Sequence, residues 1–160
     1  MKTIIILFLA CIANVACNNK DMDADKELSF LNDIPFVEGY MNLKLTDCDW
    51  KLIGFADAEQ EKLKMVESGL GLREYFSLRF YDDNTLSGWS FSNEIAGIYE
   101  TSSGSSMTIG VRVRTKVAET DEGRLYLECL NNVKTFSMTK KGLALHYESN
   151  KFLLFKPIEP

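Results

Sequence analysis

The chain offers few residues that could perform nucleophilic or metal chemistry. Its single histidine, His146, lies between Leu145 and Tyr147 in a stretch typical of a β-strand. Any Ser–His–Asp or Cys–His unit would have to use this imidazole, and the sequence contains no Gly-x-Ser-x-Gly nucleophile elbow. Structural zinc needs several Cys and His ligands at short spacing, which the sequence lacks. We therefore expect no enzyme activity, metal or cofactor, and keep an enzyme centred on His146 as a minor hypothesis.

Two pairs of adjacent acids are candidates for acid–base catalysis or calcium binding. Asp82 and Asp83 lie in a polar turn, whereas Asp121 and Glu122 follow Thr120 at the start of a predicted helix. Short polar side chains favour turns, and acids are favourable at the positive end of a helix dipole. We therefore interpret both pairs as structural.

Cys17 is the residue whose surroundings indicate the most specific chemistry. A positive start at Lys2 precedes ten uncharged, mostly apolar residues. This pattern is typical of a signal peptide and is shorter than the roughly 20 residues of a membrane-spanning helix. Residues 14–17 then resemble a lipobox, with Asn14 where leucine is usual. We predict that residues 1–16 are cleaved and that Cys17 receives diacylglycerol and an amide-linked acyl chain.

Two alternatives remain open at this terminus. Ordinary signal peptidase could cleave nearby and leave Cys17 unmodified. Cys11 could instead accept the lipid, but only residues 4–8 would then form the hydrophobic region, fewer than the usual minimum of about seven. We favour Cys17 over both.

Residues 17–27 form an acidic segment with four carboxylates, two lysines and little apolar content. Such a segment cannot bury enough surface to fold, so we predict a disordered tether. It is either a plain spacer or a signal that resembles the surface-export signal of Bacteroidetes lipoproteins. The predicted location is the outer membrane, on its periplasmic or its cell-surface side.

The net charge argues against two classes of partner. The chain carries a net charge of −5, and loss of Lys2 with the signal leaves 17 basic and 23 acidic residues, a net of −6. Nucleic-acid binding needs a basic footprint, and electrostatic adhesion to anionic lipid needs a basic cluster. We therefore expect no nucleic-acid partner, and membrane attachment only through the N-terminal lipid.

Apolar–polar alternation predicts a chain of short strands. After an N-terminal extension at 28–47, which we expect to pack on the domain, the domain itself is predicted at 48–160. Thr120 is a suitable cap for a helix at 120–132, and a second short helix is predicted at 58–68. The predicted strands cover residues 48–55, 75–81, 86–92, 97–101, 107–109, 111–117, 133–139, 143–147 and 151–156. The fold class is mainly β with one packed helix (α+β), a curled antiparallel sheet or a small closed or partly open barrel.

Two further features bear on binding and redox chemistry. Cys48 and Cys129 either form a disulfide, which export permits, or are ordinary buried thiols. Alternation places most aromatic side chains in the core, and outward-facing residues near Trp89 and Tyr99 are the best candidates for a binding surface.

The order of short motifs resembles the META domain (HslJ-like) lipoprotein family from about Trp50 to Phe155. The matching segments are 50–52, 76–80, 87–93, 97–99, 115–118, 129–133, 143–145 and 152–155. The family often has two cysteines that this sequence replaces with residues around Phe91 or Ser92 and Glu119. The resemblance implies a small curved sheet or barrel with a helix, an envelope location and no established enzymatic activity.

The leading functional hypothesis is a lipid-anchored envelope protein that binds or stabilises another envelope component. A small-ligand carrier that uses a barrel-like cavity is the first alternative. A pilotin-like chaperone of a membrane protein, which some domains of this shape resemble, is the second.

Overall fold

The structure is a computed structural model that describes residues 28–66 and 75–158. The predicted signal peptide, Cys17 and the acidic tether lie outside the described residues. Within the described ranges, no helix is long and apolar enough to span a bilayer.

The described chain forms ten strands and one α-helix, α1 (Asp121–Asn131). The strands are β1 (Leu28–Phe30), β2 (Asp49–Asp57), β3 (Lys62–Met65), β4 (Ser77–Phe80), β5 (Thr85–Trp89), β6 (Glu94–Ser102), β7 (Ser106–Val113), β8 (Thr135–Thr139), β9 (Gly142–His146) and β10 (Lys151–Pro157). All pairings are antiparallel. The predicted α+β class, a curled antiparallel sheet with one helix, is confirmed.

The sheet closes on itself through its second strand. The strand order is β1-β3-β2-β10-β9-β8-β7-β6-β5-β4, and β4 also pairs with β2. The first half of β2 pairs with β4, with Trp50 opposite Leu78, whereas its second half pairs with β3, with Ala56 opposite Leu63. The β2–β4 pairing therefore closes a ring of eight strands, and β3 and β1 extend outside it.

The weakest joint in this ring lies between β7 and β8, where Ser106 opposite Thr135 is the one registered pair. Helix α1 connects these two strands and packs at the joint. The Asn131 side-chain oxygen accepts a hydrogen bond of 3.0 Å from the Val111 amide of β7. The end of the helix therefore supplies an acceptor where the neighbouring strand does not. Because β7 and β8 share one registered pair, the barrel is partly open between them.

The start of α1 is fixed by a polar network. Thr120 caps the helix as predicted, since its hydroxyl accepts from the Gly123 amide at 3.0 Å. The Glu119 carboxylate accepts from the Asn93 side-chain amide at 3.0 Å and the Ser92 amide at 3.1 Å, and also from the Ser90 hydroxyl. These bonds tie the helix start to the loop between β5 and β6.

Large side chains fill the interior of the ring. Tyr126 projects from α1 and is fully buried, with its ring centroid 5.3 Å from that of Phe76 and 6.4 Å from that of Phe155. Trp50 is also fully buried, and its indole N–H donates to the Leu45 carbonyl at 2.8 Å. Further interior side chains with almost no exposure are Leu52, Leu78, Phe80, Leu86, Ile95, Met107 and Leu130.

The helix predicted at 58–68 is wrong for the described part of that segment. The Asp57 carboxylate accepts from the Glu59 and Gln60 amides at 3.0 and 3.1 Å, which stabilises a turn instead of a helix. Glu61 has φ 54° and reverses the chain. The next residues form β3, where Leu63 is fully buried against the outside of the ring.

A second apolar layer covers the outer face of the ring. Ala56, Ala144, Phe152 and Leu154 point away from the interior and form a small core with Leu63. From the N-terminal region, Leu31 and Ile34 pack against this core. We call residues 31–42 the strap, because the segment lies over strands β2, β10, β9 and β8.

Candidate functional site

The two aromatic residues proposed for a binding surface do not lie together. Tyr99 is 6% exposed, its ring packs edge-on against Phe80 at 5.0 Å, and its hydroxyl donates to the Tyr81 carbonyl at 2.8 Å. The placement of Tyr99 on the surface is therefore wrong. Along β6 it shares the inward phase of Ile95, and the exposed residue at this point is Ile98.

Trp89 lies on the outer face of β5 and is half-buried in a polar groove of about 470 Å³. The charged groups of this groove already have ion-pair partners, and Glu94 lies 3.2 Å from Arg114. Arg79 lies 3.4 Å from the Asp49 carboxylate, and the Tyr81 hydroxyl is hydrogen-bonded to that of Ser87 at 2.9 Å. These internal partners leave little net charge to select a ligand, so Trp89 as a binding residue stays a prediction.

Cys48 and Cys129 are both free thiols, so the structure contradicts the disulfide alternative. Cys129 is buried on α1, and burial raises the pKa of its thiol to about 11. Burial also raises the pKa of the half-buried Cys48. Because the thiolate is the reactive form, both are poor nucleophiles at neutral pH.

His146 is half-buried at the end of β9, where burial lowers the pKa of its imidazole. Its Nε2 is hydrogen-bonded to the Ser137 hydroxyl at 3.2 Å, and its ring packs on Phe152 at 5.1 Å. Among the described residues, the structure shows no carboxylate bonded to the ring in the way a catalytic triad requires. The environment of His146 is that of a strand residue between two layers.

The acidic pairs lie where turns and helix starts require them. Asp83 accepts from the Thr85 hydroxyl at 2.6 Å and from its amide at 3.0 Å, and these hydrogen bonds lower the pKa of the exposed carboxyl. Glu122 lies 3.5 Å from the Lys64 ammonium. In the part of the chain that the structure describes, no three His, Cys, Asp or Glu side chains are placed to hold a metal ion.

The strap is fixed to the turn between β8 and β9. The Val37 amide donates to the Lys140 carbonyl at 2.7 Å, and the Lys140 ammonium pairs with Glu38 at 2.6 Å. The Lys141 ammonium donates to the Leu31 carbonyl. These contacts hold the strap above the sheet and leave an apolar groove on each side of it.

The first groove, which we call the lysine groove, has a volume of about 340 Å³ and lies where β2 changes partner from β3 to β4. Three lysines, Lys51, Lys141 and Lys156, line it together with apolar side chains. The apolar wall includes Ile34, Val37, Leu52, Ile53, Met65 and Val66.

The second groove lies on the other side of the strap and is more open. Phe36 and Met41 of the strap line it, with Met138, Phe152 and Leu154 below. Phe36 is 68% exposed and Met41 is 49% exposed. We call Phe36, Met41 and the neighbouring Val37 the Phe36 surface.

Sequence patterns gave no indication of either groove. The apolar residues 34–37 look like part of a core. A sequence pattern shows which residues are apolar, but not which of them stay exposed in the folded chain. An apolar run beside Pro35 and Gly39, with no regular period, is the one signal that could have marked this segment.

Comparison with known proteins supports the assignment of the fold and assigns no function. No protein-family model matches the chain, and no curated protein matches its sequence. A DUF4847 family protein from Bacteroides vulgatus ATCC 8482 has a similar structure, with a TM-score of 0.53 and 13% identity over 72% of this chain and 96% of its own. A protein from Burkholderia xenovorans has a TM-score of 0.53 and 18% identity, over 79% and 91% of the two chains. The likeness is one of fold. The resemblance to the META domain family stays a prediction.

Proposed function

We propose that this is a lipid-anchored protein of the outer membrane that binds another envelope protein through the Phe36 surface. The observation that carries the proposal is the exposure of large apolar side chains on the strap. A well-packed domain exposes single apolar residues without consequence, whereas adjacent ones mark interaction sites. Phe36 and Met41 line one groove and lie in one short segment.

The position of this surface along the chain supports an envelope role. Of ten exposed large apolar side chains among the described residues, five lie within residues 28–41. That region follows the predicted tether, only eleven residues after Cys17 at its start. A chain of this length spans at most about 40 Å when fully extended. An anchored Cys17 would therefore keep the Phe36 surface close to the membrane, where envelope proteins are its neighbours.

The interior of the ring favours this proposal over a carrier with a ligand inside the barrel. Trp50, Phe76, Tyr126 and Phe155 occupy the space that such a ligand would need. A pilotin-like role is a special case of the proposal, in which the bound partner is a membrane protein.

The test is site-specific photocrosslinking in cells that produce the full-length chain. A photoreactive amino acid at position 36 is compared with the same group at position 98, because Ile98 is 60% exposed on the far side of the ring and gives a matched apolar control. We expect a discrete crosslinked protein with the probe at position 36 and none at position 98. The same product should be lost in a Cys17→Ala variant, which removes the proposed anchor.

Equal crosslinking from positions 36 and 98, or the same product with and without Cys17, would contradict the proposal. A Phe36→Ser variant with the probe at position 41 provides an independent check. It should reduce the yield of the same product, since the apolar contact area is smaller.

A further inference from the structure

The lysine groove combines an apolar wall with three lysine side chains. Within the part of the chain that the structure describes, no carboxylate lines this groove. The charged residues among the described lining are all lysines, whereas the whole chain carries a net charge of −5. Such a site differs from the polar groove at Trp89, where Arg79 is paired with Asp49.

The lysines are arranged around one point of the sheet. Lys156 of β10 lies directly opposite Lys51 of β2, so both side chains project from the same face. Lys51 is already engaged, since its ammonium donates to the Tyr75 carbonyl. Lys141 approaches from the turn between β8 and β9, donates to the Leu31 carbonyl and lies 5.1 Å from the centroid of the Phe36 ring. These neighbours of Lys141 are uncharged, so they do not neutralise its positive charge.

We propose that the lysine groove binds a free fatty acid, with the carboxylate at Lys156 and Lys141 and the hydrocarbon chain along the apolar wall. A carboxylate at this position accepts hydrogen bonds from the Lys156 and Lys141 ammonium groups. The chain would contact Ile34 of the strap and cover Ile53 and Met65, which the strap leaves partly open. The volume of about 340 Å³ lies within the range of about 300–1,000 Å³ that is typical of small-molecule sites. This site adjoins the Phe36 surface, with which it shares Val37, and adds a lipid ligand to the protein-binding role proposed above.

The test uses dodecanoic acid with a diazirine in its chain and a terminal alkyne, applied to membranes from cells that produce the full-length chain. After irradiation, labelled peptides are mapped by mass spectrometry. We expect labels on the peptides that contain Ile53 or Met65. Unlabelled dodecanoate should suppress the labelling, whereas dodecanol, which has the same chain without the charge, should compete much less.

Lys156 provides the decisive variant, because its exposed side chain can change without disturbing the core. Lys156→Glu should reduce labelling about two- to fivefold, the range expected from one exposed charge pair, and Lys156→Gln should have a smaller effect. Lys134→Glu is the matched control, an exposed lysine that does not line the groove, and should leave labelling unchanged.

Three results would overturn the proposal. They are equal competition by dodecanol and dodecanoate, labelling that maps outside the groove, and equal labelling of the Lys156→Glu and Lys134→Glu variants. Resistance to trypsin, measured for each variant in the same membranes, shows whether a loss of labelling reflects binding or unfolding. Crosslinking from position 36 is measured separately, so the two proposals can fail independently.

Discussion

Among the carboxylates that the structure describes, that of Glu119 accepts hydrogen bonds from an unusually large set of partners. Burial raises the pKa of this carboxyl, but hydrogen bonds from Asn93, Ser90 and the Ser92 and Thr120 amides outweigh it and hold the pKa below its ordinary value. A carboxylate whose pKa is lower in the folded state stabilises the fold above its unfolded pKa. This contribution is lost as the pH falls through the folded value.

We predict that Glu119→Gln lowers the free energy of unfolding by about 1–3 kcal/mol at pH 7, because hydrogen bonds to a charged acceptor are replaced by weaker ones. At a more acidic pH, where the wild-type carboxyl becomes protonated, the two proteins should differ less. Urea unfolding at both pH values measures the difference. Glu100→Gln, at an exposed carboxylate on β6, is the control and should change the free energy by less than about 0.5 kcal/mol. A difference for Glu119→Gln that does not depend on pH would refute the assignment.

Predictions for single residues succeeded where neighbouring residues in the sequence determine the local structure. They failed where the result depends on which face of a strand points into the core. Thr120 was predicted as a cap because a threonine before two acids has the local pattern of a helix start. Tyr99 was placed on the surface although it is buried. Alternation along β6 gives two faces, and the sequence does not state which of them faces the core. The same limit applies to the cysteines, because sequence does not give the distance between Cys48 and Cys129.

At the scale of elements, the first turn of α1 contains a glycine that a helix would normally disfavour. A Cβ atom on Gly123 would lie 2.1 Å from Glu119 Oε1 and 2.5 Å from its carboxyl carbon. The Glu119 side chain is held by its hydrogen bonds and cannot move away without losing them. Glycine is therefore required by the neighbouring carboxylate and not by the helix backbone.

We predict opposite effects of Gly123→Ala in two backgrounds. In the wild-type chain it should destabilise the fold by about 1–3 kcal/mol through overpacking. In a Glu119→Ala background the obstacle is gone, and alanine should stabilise the helix by up to about 1 kcal/mol. Thermal or urea unfolding of the four proteins gives the coupling free energy. Additive effects of the two substitutions would show that Gly123 and Glu119 do not interact.

The segment that was predicted as a helix at 58–68 shows how tertiary pairing overrides local pattern. Leu63 and Val66 have a spacing that suits a helix face. In the structure, Leu63 instead contacts the outer core from β3, and the Val66 amide donates to the Ile53 carbonyl at 3.1 Å. A four-residue strand gains its hydrogen bonds from β2, which local sequence does not reveal.

At the scale of the whole molecule, the filled interior separates this fold from barrels that hold a ligand inside. Phe80 is fully buried in the ring and packs against Tyr99. We predict that Phe80→Ala lowers the free energy of unfolding by about 3–5 kcal/mol, since a large buried side chain leaves a cavity. Labelling by the dodecanoic acid probe should persist while this variant remains folded.

Val117→Ala serves as the control for that experiment, because Val117 is 60% exposed and its truncation should change stability by less than about 0.5 kcal/mol. Urea unfolding measures both variants. If Phe80→Ala lowers the free energy of unfolding no more than Val117→Ala does, the interior is not closely packed. A carrier with a ligand inside the ring would then regain support.

The sequence by itself determined the mainly β class, the position of α1 and its cap, and the acidic balance of the chain. Each of these follows from short-range pattern or composition. Tertiary structure decided that β2 closes the ring through β4 and that Tyr99 points inward. It also decided that Phe36 of the strap and the lysine groove stay exposed. These features depend on contacts between residues far apart in the chain, such as Lys51 with Lys156, and on which of two faces is covered. A local pattern contains neither kind of information.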